Sequence, residues 1–70
     1  MTAGERIRAR RTELKLTQAQ LTQALGLKNR QSVNRMELGH QAVSAEQAAK
    51  LAPLLKVSPA WLLFGAADES

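Results

Sequence analysis

Apolar residues recur along the chain at the three- and four-residue spacing that places them on one face of an α-helix. The clearest set is Ala48, Leu51, Ala52 and Leu55, which follows the full i, i+3, i+4, i+7 pattern. No stretch alternates between apolar and polar residues over the length of a strand, and β-branched residues are few. The pattern therefore predicts an all-α fold.

Polar capping residues and glycines divide this pattern into helices. A Ser or Thr followed three residues later by Gln is typical of a capping box, and this occurs at Thr17 and at Ser44. Ser58 precedes Pro59, a pair that commonly opens a helix, and Asn29 is the expected N-cap of the third helix. Glycines close three of the apolar stretches, at Gly26, Gly39 and Gly65. We predict five helices, over about residues 3–14, 18–25, 30–38, 45–55 and 59–64.

Length and composition limit what the chain can be. Seventy residues make one domain, which we expect to span residues 1–65 and to be followed by a flexible tail over residues 66–70. There is no Cys and a single His, so disulfides, thiolate metal sites and Cys nucleophiles are excluded. We therefore expect no enzyme, no catalytic residue, no metal and no cofactor. Stability must come from an apolar core, from dimerisation, or from both.

Nothing in the sequence predicts contact with a membrane. No apolar run approaches the roughly 20 residues that a membrane-spanning helix needs. The first residues, MTAGERIRARR, are charged and no apolar segment follows them, which argues against a signal peptide. Together with the absence of Cys, these features favour an intracellular protein.

The charge is unevenly distributed along the chain. The first 35 residues contain eight Lys and Arg against two acidic residues, whereas residues 36–70 contain two against four. A basic first half favours a polyanionic partner such as nucleic acid, although the solvated helix face of a small protein can have the same composition. The same two interpretations apply to three arginines of the first predicted helix, Arg6, Arg8 and Arg10. They either attract DNA at long range or only keep the protein soluble.

Residues 17–39 form two short predicted helices joined by a connection that begins with Gly26. This spacing is typical of a helix-turn-helix, in which the second helix enters the major groove of DNA. Arg suits guanine as a hydrogen-bonding partner, and Gln or Asn suits adenine. An ordinary solvated face is the alternative, but the absence of acidic residues on the outer face favours DNA. The polar residues on that face are Arg30, Gln31, Asn34 and Arg35.

Two segments, TQAQLTQALGL and QSVNRMELG, resemble the helix-turn-helix of the phage Cro/repressor family, also called lambda-repressor-like or xenobiotic-response-element type. The resemblance continues upstream in GERIRARRTELKLTQ and downstream in LKVSPAWLLFG. It implies a compact five-helix DNA-binding domain of a sequence-specific transcriptional regulator, a repressor of Cro or prophage type. Such a protein would bind a two-fold symmetric operator on double-stranded DNA as a homodimer, in the cytoplasm and associated with the nucleoid.

The resemblance also implies roles for individual residues. Gln18 would contact a phosphate and support the third helix, while Thr17 would cap the second helix and touch the DNA backbone. The turn is one residue longer than the commonest family spacing, and the loop over residues 39–44 has no Lys or Arg. The residues that would contact or approach bases are Arg30, Gln31, Asn34 and Arg35. The remaining phosphate contacts would then be made by Lys28, Asn29, His40 and Gln41.

Arg11 and Glu37 match positions that form a largely buried ion pair in related repressors. Arg11 also lies on the apolar stripe of the first helix, and Glu37 is the only acidic residue of the third. Such a pair would fix the angle between the two helices more surely than it would add net stability.

The last predicted helix is almost entirely apolar and contains both aromatic residues of the chain. Core packing is one interpretation. The other is a dimer interface formed by Trp61, Leu62 and Phe64, because this helix has more apolar residues than one side can bury. Further functions remain open on the same fold. One is an antitoxin, which would add a toxin partner; others are a restriction-modification controller protein and a protein-interaction module without DNA binding.

Overall fold

The computed structural model describes residues 1–65, and within them the chain folds into five α-helices and no strand. The helices are α1 (Ala3–Glu13), α2 (Gln18–Ala24), α3 (Gln31–Glu37), α4 (Ala45–Leu55) and α5 (Pro59–Phe64). The predicted all-α fold is confirmed, and each predicted helix end lies within one residue of the observed end. The tail predicted over residues 66–70 lies outside the described residues. Within residues 1–65 no helix could cross a membrane, since the longest, α1 and α4, have 11 residues each.

Side-chain caps fix where the helices begin. The predicted capping boxes at Thr17 and Ser44 are both present, and each hydroxyl oxygen accepts from the backbone N–H three residues later at 3.1 Å. Ser58 caps α5, as predicted. A third box, not among those predicted although Thr2 and Glu5 have the required spacing, opens α1, where the Thr2 N–H donates to the Glu5 carboxylate at 2.7 Å. This backbone hydrogen bond lowers the pKa of Glu5 below its ordinary value.

The start of α3 differs from the prediction. Its N-cap is Arg30, which makes no side-chain capping hydrogen bond, and not Asn29. Asn29 Oδ1 instead accepts from the Gln31 N–H at 3.0 Å. The longer turn places Asn29 one position before the cap, yet its amide oxygen still satisfies the first N–H of the helix, which has no partner inside the helix.

Every helix contributes to one apolar core. Leu62, one of the three residues expected at a dimer interface, is 0% exposed, because it lies on the side of α5 that packs against α1 and α4. Its side chain is therefore part of the core. Trp61 packs against the core and is partly buried, whereas Phe64 is 76% exposed. The buried apolar side chains are Ile7, Leu21, Leu25, Val33, Met36, Ala48, Leu51, Ala52, Leu55 and Leu62.

A glycine allows α1 and α3 to pack closely. Gly4 is buried in the first turn of α1, directly against the backbone of Met36. A Cβ atom at this position would overlap the Met36 carbonyl oxygen. The position of α3 relative to α1 therefore depends on a residue that has no side chain.

Arg6 joins α5 to α1. Its side chain is buried, and within residues 1–65 its guanidinium donates to three backbone carbonyls: from Nε to Leu62 at 3.0 Å, from Nη2 to Leu63 at 2.8 Å, and from Nη1 to Met1 at 2.8 Å. The first two carbonyls lie in the last turn of α5, where helical carbonyls have no partner inside the helix. Arg6 is thus a C-terminal cap for α5, and neither attraction of DNA nor solubility describes its role.

Arg6→Met should lower the free energy of unfolding by about 2 kcal/mol, because three carbonyls lose charge-assisted hydrogen bonds while much of the buried stem is kept. Urea denaturation followed by circular dichroism measures the change. Arg8→Met is the matched control, since Arg8 is exposed on the same helix, and it should change stability by less than about 0.5 kcal/mol. Equal effects of the two substitutions would contradict the capping role.

Candidate nucleic-acid interface

The turn between α2 and α3 begins at Gly26. This residue has φ +71°, a left-handed conformation that favours glycine. The Leu27 N–H then donates to the Thr22 carbonyl at 3.1 Å and closes the end of α2. Both helices have only seven residues, which is too short for stability in isolation. Packing therefore sets their orientation, through the buried residues Leu21, Leu25, Val33 and Met36.

α3 has one buried side and one exposed side. Val33, Met36 and Glu37 are buried. Within residues 1–65, neither Arg30 nor Arg35 forms an ion pair. The exposed side of α3 and its N-cap therefore present two cations and two amides to solvent, with no exposed carboxylate on the helix. These exposed residues, which we define as the α3 outer face, are Arg30, Gln31, Asn34 and Arg35.

Behind the α3 outer face, four side chains from three helices form a continuous hydrogen-bonded chain. Arg11 donates to both carboxylate oxygens of Glu37, from Nε to Oε2 at 2.7 Å and from Nη2 to Oε1 at 3.0 Å. Gln18 Nε2 donates to Glu37 Oε1 at 3.1 Å and to Asn34 Oδ1 at 3.2 Å. We call these four residues the polar chain. It connects the interior of the domain to one residue of the α3 outer face.

The inner end of the polar chain is buried. The side chains of Arg11 and Glu37 are 15% and 2% exposed, and Arg11 Nη1 also donates to the Leu16 carbonyl at 3.0 Å. The structure thus brings together the two residues that were expected to pair. Because a buried pair must keep this geometry to avoid an uncompensated charge, it constrains the angle between α1 and α3.

The sequence around this site identifies the family. Residues 7–62 match the model of the Cro/C1-type helix-turn-helix family. The chain belongs to this family. The helix-turn-helix proper is α2, the turn at Gly26, and α3.

Individual helix-turn-helix proteins are similar to the chain over most of its length. It is 41% identical over 69 residues to the HTH-type transcriptional regulator DicA of Escherichia coli (strain K12), an alignment that covers 99% of this chain and 50% of DicA. The chain thus spans half the length of this curated relative. Its fold is similar to that of the P22 c2 repressor protein, solved in complex with synthetic operator 9T in the presence of Tl⁺. That comparison has a TM-score of 0.82 and 35% identity, over 94% of this chain and 98% of the repressor chain.

The residues expected to contact phosphates lie at the borders of the helix-turn-helix. Thr17 is exposed at the start of α2, although its hydroxyl oxygen already accepts from the Gln20 N–H at 3.1 Å. Lys28 and Asn29 lie in the turn before α3, and His40 and Gln41 lie in the loop after it. Gln41 is partly exposed and the other three are exposed.

Gln18 supports α3 and has no side-chain hydrogen left for a phosphate. Its Nε2 makes two hydrogen bonds inside the protein, to Asn34 and to Glu37. A primary amide nitrogen carries two hydrogens, so both are used. The expected support of the third helix is visible in these contacts, whereas a phosphate contact by the same amide nitrogen would require one of them to break.

The arginines of α1 contribute less to the exposed charge than the sequence indicates. Arg10 Nε donates to the Leu55 carbonyl at 3.1 Å, and its Nη1 contacts Glu13 at 2.9 Å. Together with Arg6 and Arg11, it is used to hold α1 against the rest of the domain. The spacing of arginines in the sequence does not reveal this, because a helix that packs on several neighbours can direct its arginines toward their carbonyls. The exposed cations of the first 35 residues are Arg8, Lys15, Lys28, Arg30 and Arg35.

Proposed function

We propose that this protein is a sequence-specific transcriptional regulator that places α3 in the major groove of double-stranded DNA. The observation that carries the proposal is the α3 outer face, which presents two Arg and two amide side chains without a competing carboxylate. Arg forms paired hydrogen bonds to guanine, and Gln forms them to adenine. The protein would act as a repressor by occupying an operator, in the cytoplasm and at the nucleoid, without catalysis.

Contacts to phosphates would hold α3 in register on the duplex. Lys28 adds a positive charge in the turn immediately before α3, where it is exposed. The other residues at the two borders would donate hydrogen bonds to phosphate oxygens, which position a protein on DNA without specifying sequence. We assign this role to Asn29, His40 and Gln41, and to Thr17 when its hydroxyl hydrogen leaves Gln20 Oε1, to which it donates at 3.3 Å.

A homodimer formed through α5 is the second part of the proposal. Phe64 is 76% exposed and Trp61 is partly exposed, so an apolar surface remains on α5 after Leu62 has been used in the core. A second copy, related by a two-fold axis, would bury these aromatic rings. The same axis would present two α3 helices to a two-fold symmetric operator.

Arg35→Ala should reduce the preference for operator over random DNA by about 1–3 kcal/mol, because a paired contact to one base is lost. Gln31→Ala should do the same at a different base pair. The operator is obtained by selection from a random duplex library, and affinities are measured by fluorescence anisotropy. Wild-type binding should weaken steeply with salt, with a log–log slope of about −0.9 for each phosphate contact.

Lys50→Ala is the matched control for Arg35→Ala, because it removes one positive charge from α4, where the Lys50 side chain is 48% exposed. It should leave the preference for operator unchanged. Equal losses of affinity for operator and random DNA on Arg35→Ala would contradict its base contact. No measurable duplex binding at low salt would overturn the proposed function. That result would favour a protein-interaction module. The lack of Lys and Arg in residues 39–44 agrees with such a module.

Phe64→Ser should prevent a second chain from binding to a symmetric operator duplex, because the apolar contact across the two-fold axis is removed. Sedimentation equilibrium with a labelled duplex gives the number of chains bound. Leu38→Ser is the control, since Leu38 is a 53% exposed leucine outside α5; it should leave that number unchanged. Unchanged stoichiometry and affinity for Phe64→Ser would contradict an interface on α5.

A further inference from the structure

Asn34 differs from the other residues of the α3 outer face because its side chain is held from behind. Asn34 Oδ1 accepts a hydrogen bond from Gln18 Nε2 at 3.2 Å, whereas the side chains of Arg30 and Arg35 make no hydrogen bond or ion pair within residues 1–65. The carbonyl oxygen of the Asn34 amide is thus turned toward α2. Its NH₂ group is the part of the amide that remains for a partner outside the protein.

The orientation of both amides follows from the carboxylate at the inner end of the polar chain. Arg11 donates to both oxygens of Glu37, so these oxygens serve only as acceptors. The Gln18 atom that faces Glu37 must therefore be a donor. This sets the orientation of the Gln18 amide, with Nε2 and not Oε1 directed toward Glu37. The same Nε2 meets Asn34, so the Asn34 atom that faces it must be the oxygen.

We propose that the polar chain makes Asn34 a hydrogen-bond donor toward DNA, and that Asn34 therefore selects a base edge with acceptors only, guanine or thymine, over adenine. This inference rests on the proposed function. A freely rotating Asn contacts adenine with both its NH₂ and its oxygen, because adenine presents one acceptor and one donor in the major groove. With its oxygen held by Gln18, Asn34 matches the O6 acceptor of guanine or the O4 acceptor of thymine. Adenine shares N7 with guanine but has its amino group in place of O6, so the Asn34 NH₂ opposes another donor there.

Gln18 is then a positioning residue, which acts on base choice through Asn34. Without its amide, the Asn34 side chain can turn by half a rotation about its last bond and present either its oxygen or its NH₂. A residue that only supported the helix would affect all DNA sequences equally when replaced. A residue that orients Asn34 affects the choice between bases at one position, and this difference makes the two roles separable.

The test compares base preferences from random-library selection for wild type, Asn34→Ala and Gln18→Met. Asn34→Ala should reduce the preference for guanine or thymine at one base pair by about fivefold, the value of a single hydrogen bond. Gln18→Met keeps the side-chain length and removes the donor; at that same pair, adenine should come within about twofold of the preferred base. Gln23→Ala is the control, because it removes an exposed amide from another side of α2, and it should change neither preference.

Base analogues distinguish the two acceptor edges. Where guanine is preferred, 6-thioguanine, whose sulfur is a poorer acceptor than the O6 it replaces, should weaken wild-type binding about fivefold and leave Asn34→Ala unaffected. Where thymine is preferred, 4-thiothymine, with its poorer acceptor, should behave in the same way. The proposal is overturned if Asn34→Ala removes a preference for adenine or changes no base preference. It is also overturned if Gln18→Met weakens every sequence by the same factor.

A measurement on the free protein separates this inference from the proposed function. The side-chain NH₂ hydrogens of Gln18 should exchange with water about tenfold more slowly than those of Asn34, because both Gln18 hydrogens are bonded and those of Asn34 face solvent. Nitrogen-resolved NMR exchange experiments measure both groups. Faster exchange at Gln18 than at Asn34 would overturn the orientation itself. If the exchange rates are as expected but the protein binds no DNA duplex, the orientation of the two amides stands. The proposed function is then rejected, and the assignment of a base to Asn34 is rejected with it.

Discussion

Replacing Glu37 by alanine should unfold most of the protein at 37 °C. The substitution leaves Arg11, whose side chain is 15% exposed, without its carboxylate. An uncompensated buried charge of this kind costs about 3–5 kcal/mol, comparable to the roughly 4–10 kcal/mol of stability that a domain of this size has in total. A thermal melt followed by circular dichroism should show the midpoint falling by at least about 12 °C.

Two variants test whether the unpaired charge of Arg11 causes this loss of stability. Glu13→Ala removes an ion pair whose carboxylate side chain is 66% exposed, and it should cost no more than about 1 kcal/mol. Arg11→Met combined with Glu37→Met should recover much of the loss, because no buried charge is then left unpaired. A melt of Glu37→Ala that matches wild type within error would refute the role of the pair.

Gly4→Ala should destabilise the protein by more than about 3 kcal/mol, although the same change in an exposed helix stabilises by about 1 kcal/mol. The added methyl group would overlap the Met36 carbonyl oxygen. Because the obstacle is backbone, no change of side-chain rotamer relieves it, and α1 must move away from α3. Urea denaturation measures the difference.

Gly39→Ala is the matched control for Gly4→Ala. Gly39 has φ +82° and no atom within 4 Å of an added Cβ, so its substitution should cost only the backbone strain of about 1–2 kcal/mol. Met36→Ala in the Gly4→Ala background should not restore stability, since the side chain of Met36 is not the obstacle. A stabilised Gly4→Ala variant would show that the two helices do not touch at this point.

Local sequence features predicted the helices and the composition of the α3 outer face. Capping boxes at Thr17 and Ser44 are complete within four residues of the chain, so their geometry depends little on the rest of the fold. The spacing of Val33 and Met36 likewise determines which side of α3 is buried. The polar side opposite them could therefore be named from the sequence alone.

Features that depend on contacts between helices were not predictable in this way. Arg6 and Arg8 are two residues apart on α1, and the approach of α5 to Arg6 makes it a buried cap and leaves Arg8 exposed. The burial of Leu62 was not predictable either, because a continuous apolar run does not indicate which of its sides meets the core. Gly4 offered one indication, since a glycine inside a helix often has a packing reason, but its partner lies 32 residues away at Met36.

The cap formed by Arg6 has a consequence for the spacing of an operator. It fastens α5, the proposed dimer surface, to α1, and α1 is fixed to α3 by Gly4 and by the Arg11–Glu37 pair. In the proposed dimer, these contacts hold the two α3 helices at a fixed distance from each other and in a fixed relative orientation. Inserting a single base pair between half-sites displaces one by about 3.4 Å and turns it by about 34° around the DNA axis. A rigid dimer cannot follow that change, so the helical phasing of the operator would be determined by the protein interior rather than by the residues that touch DNA.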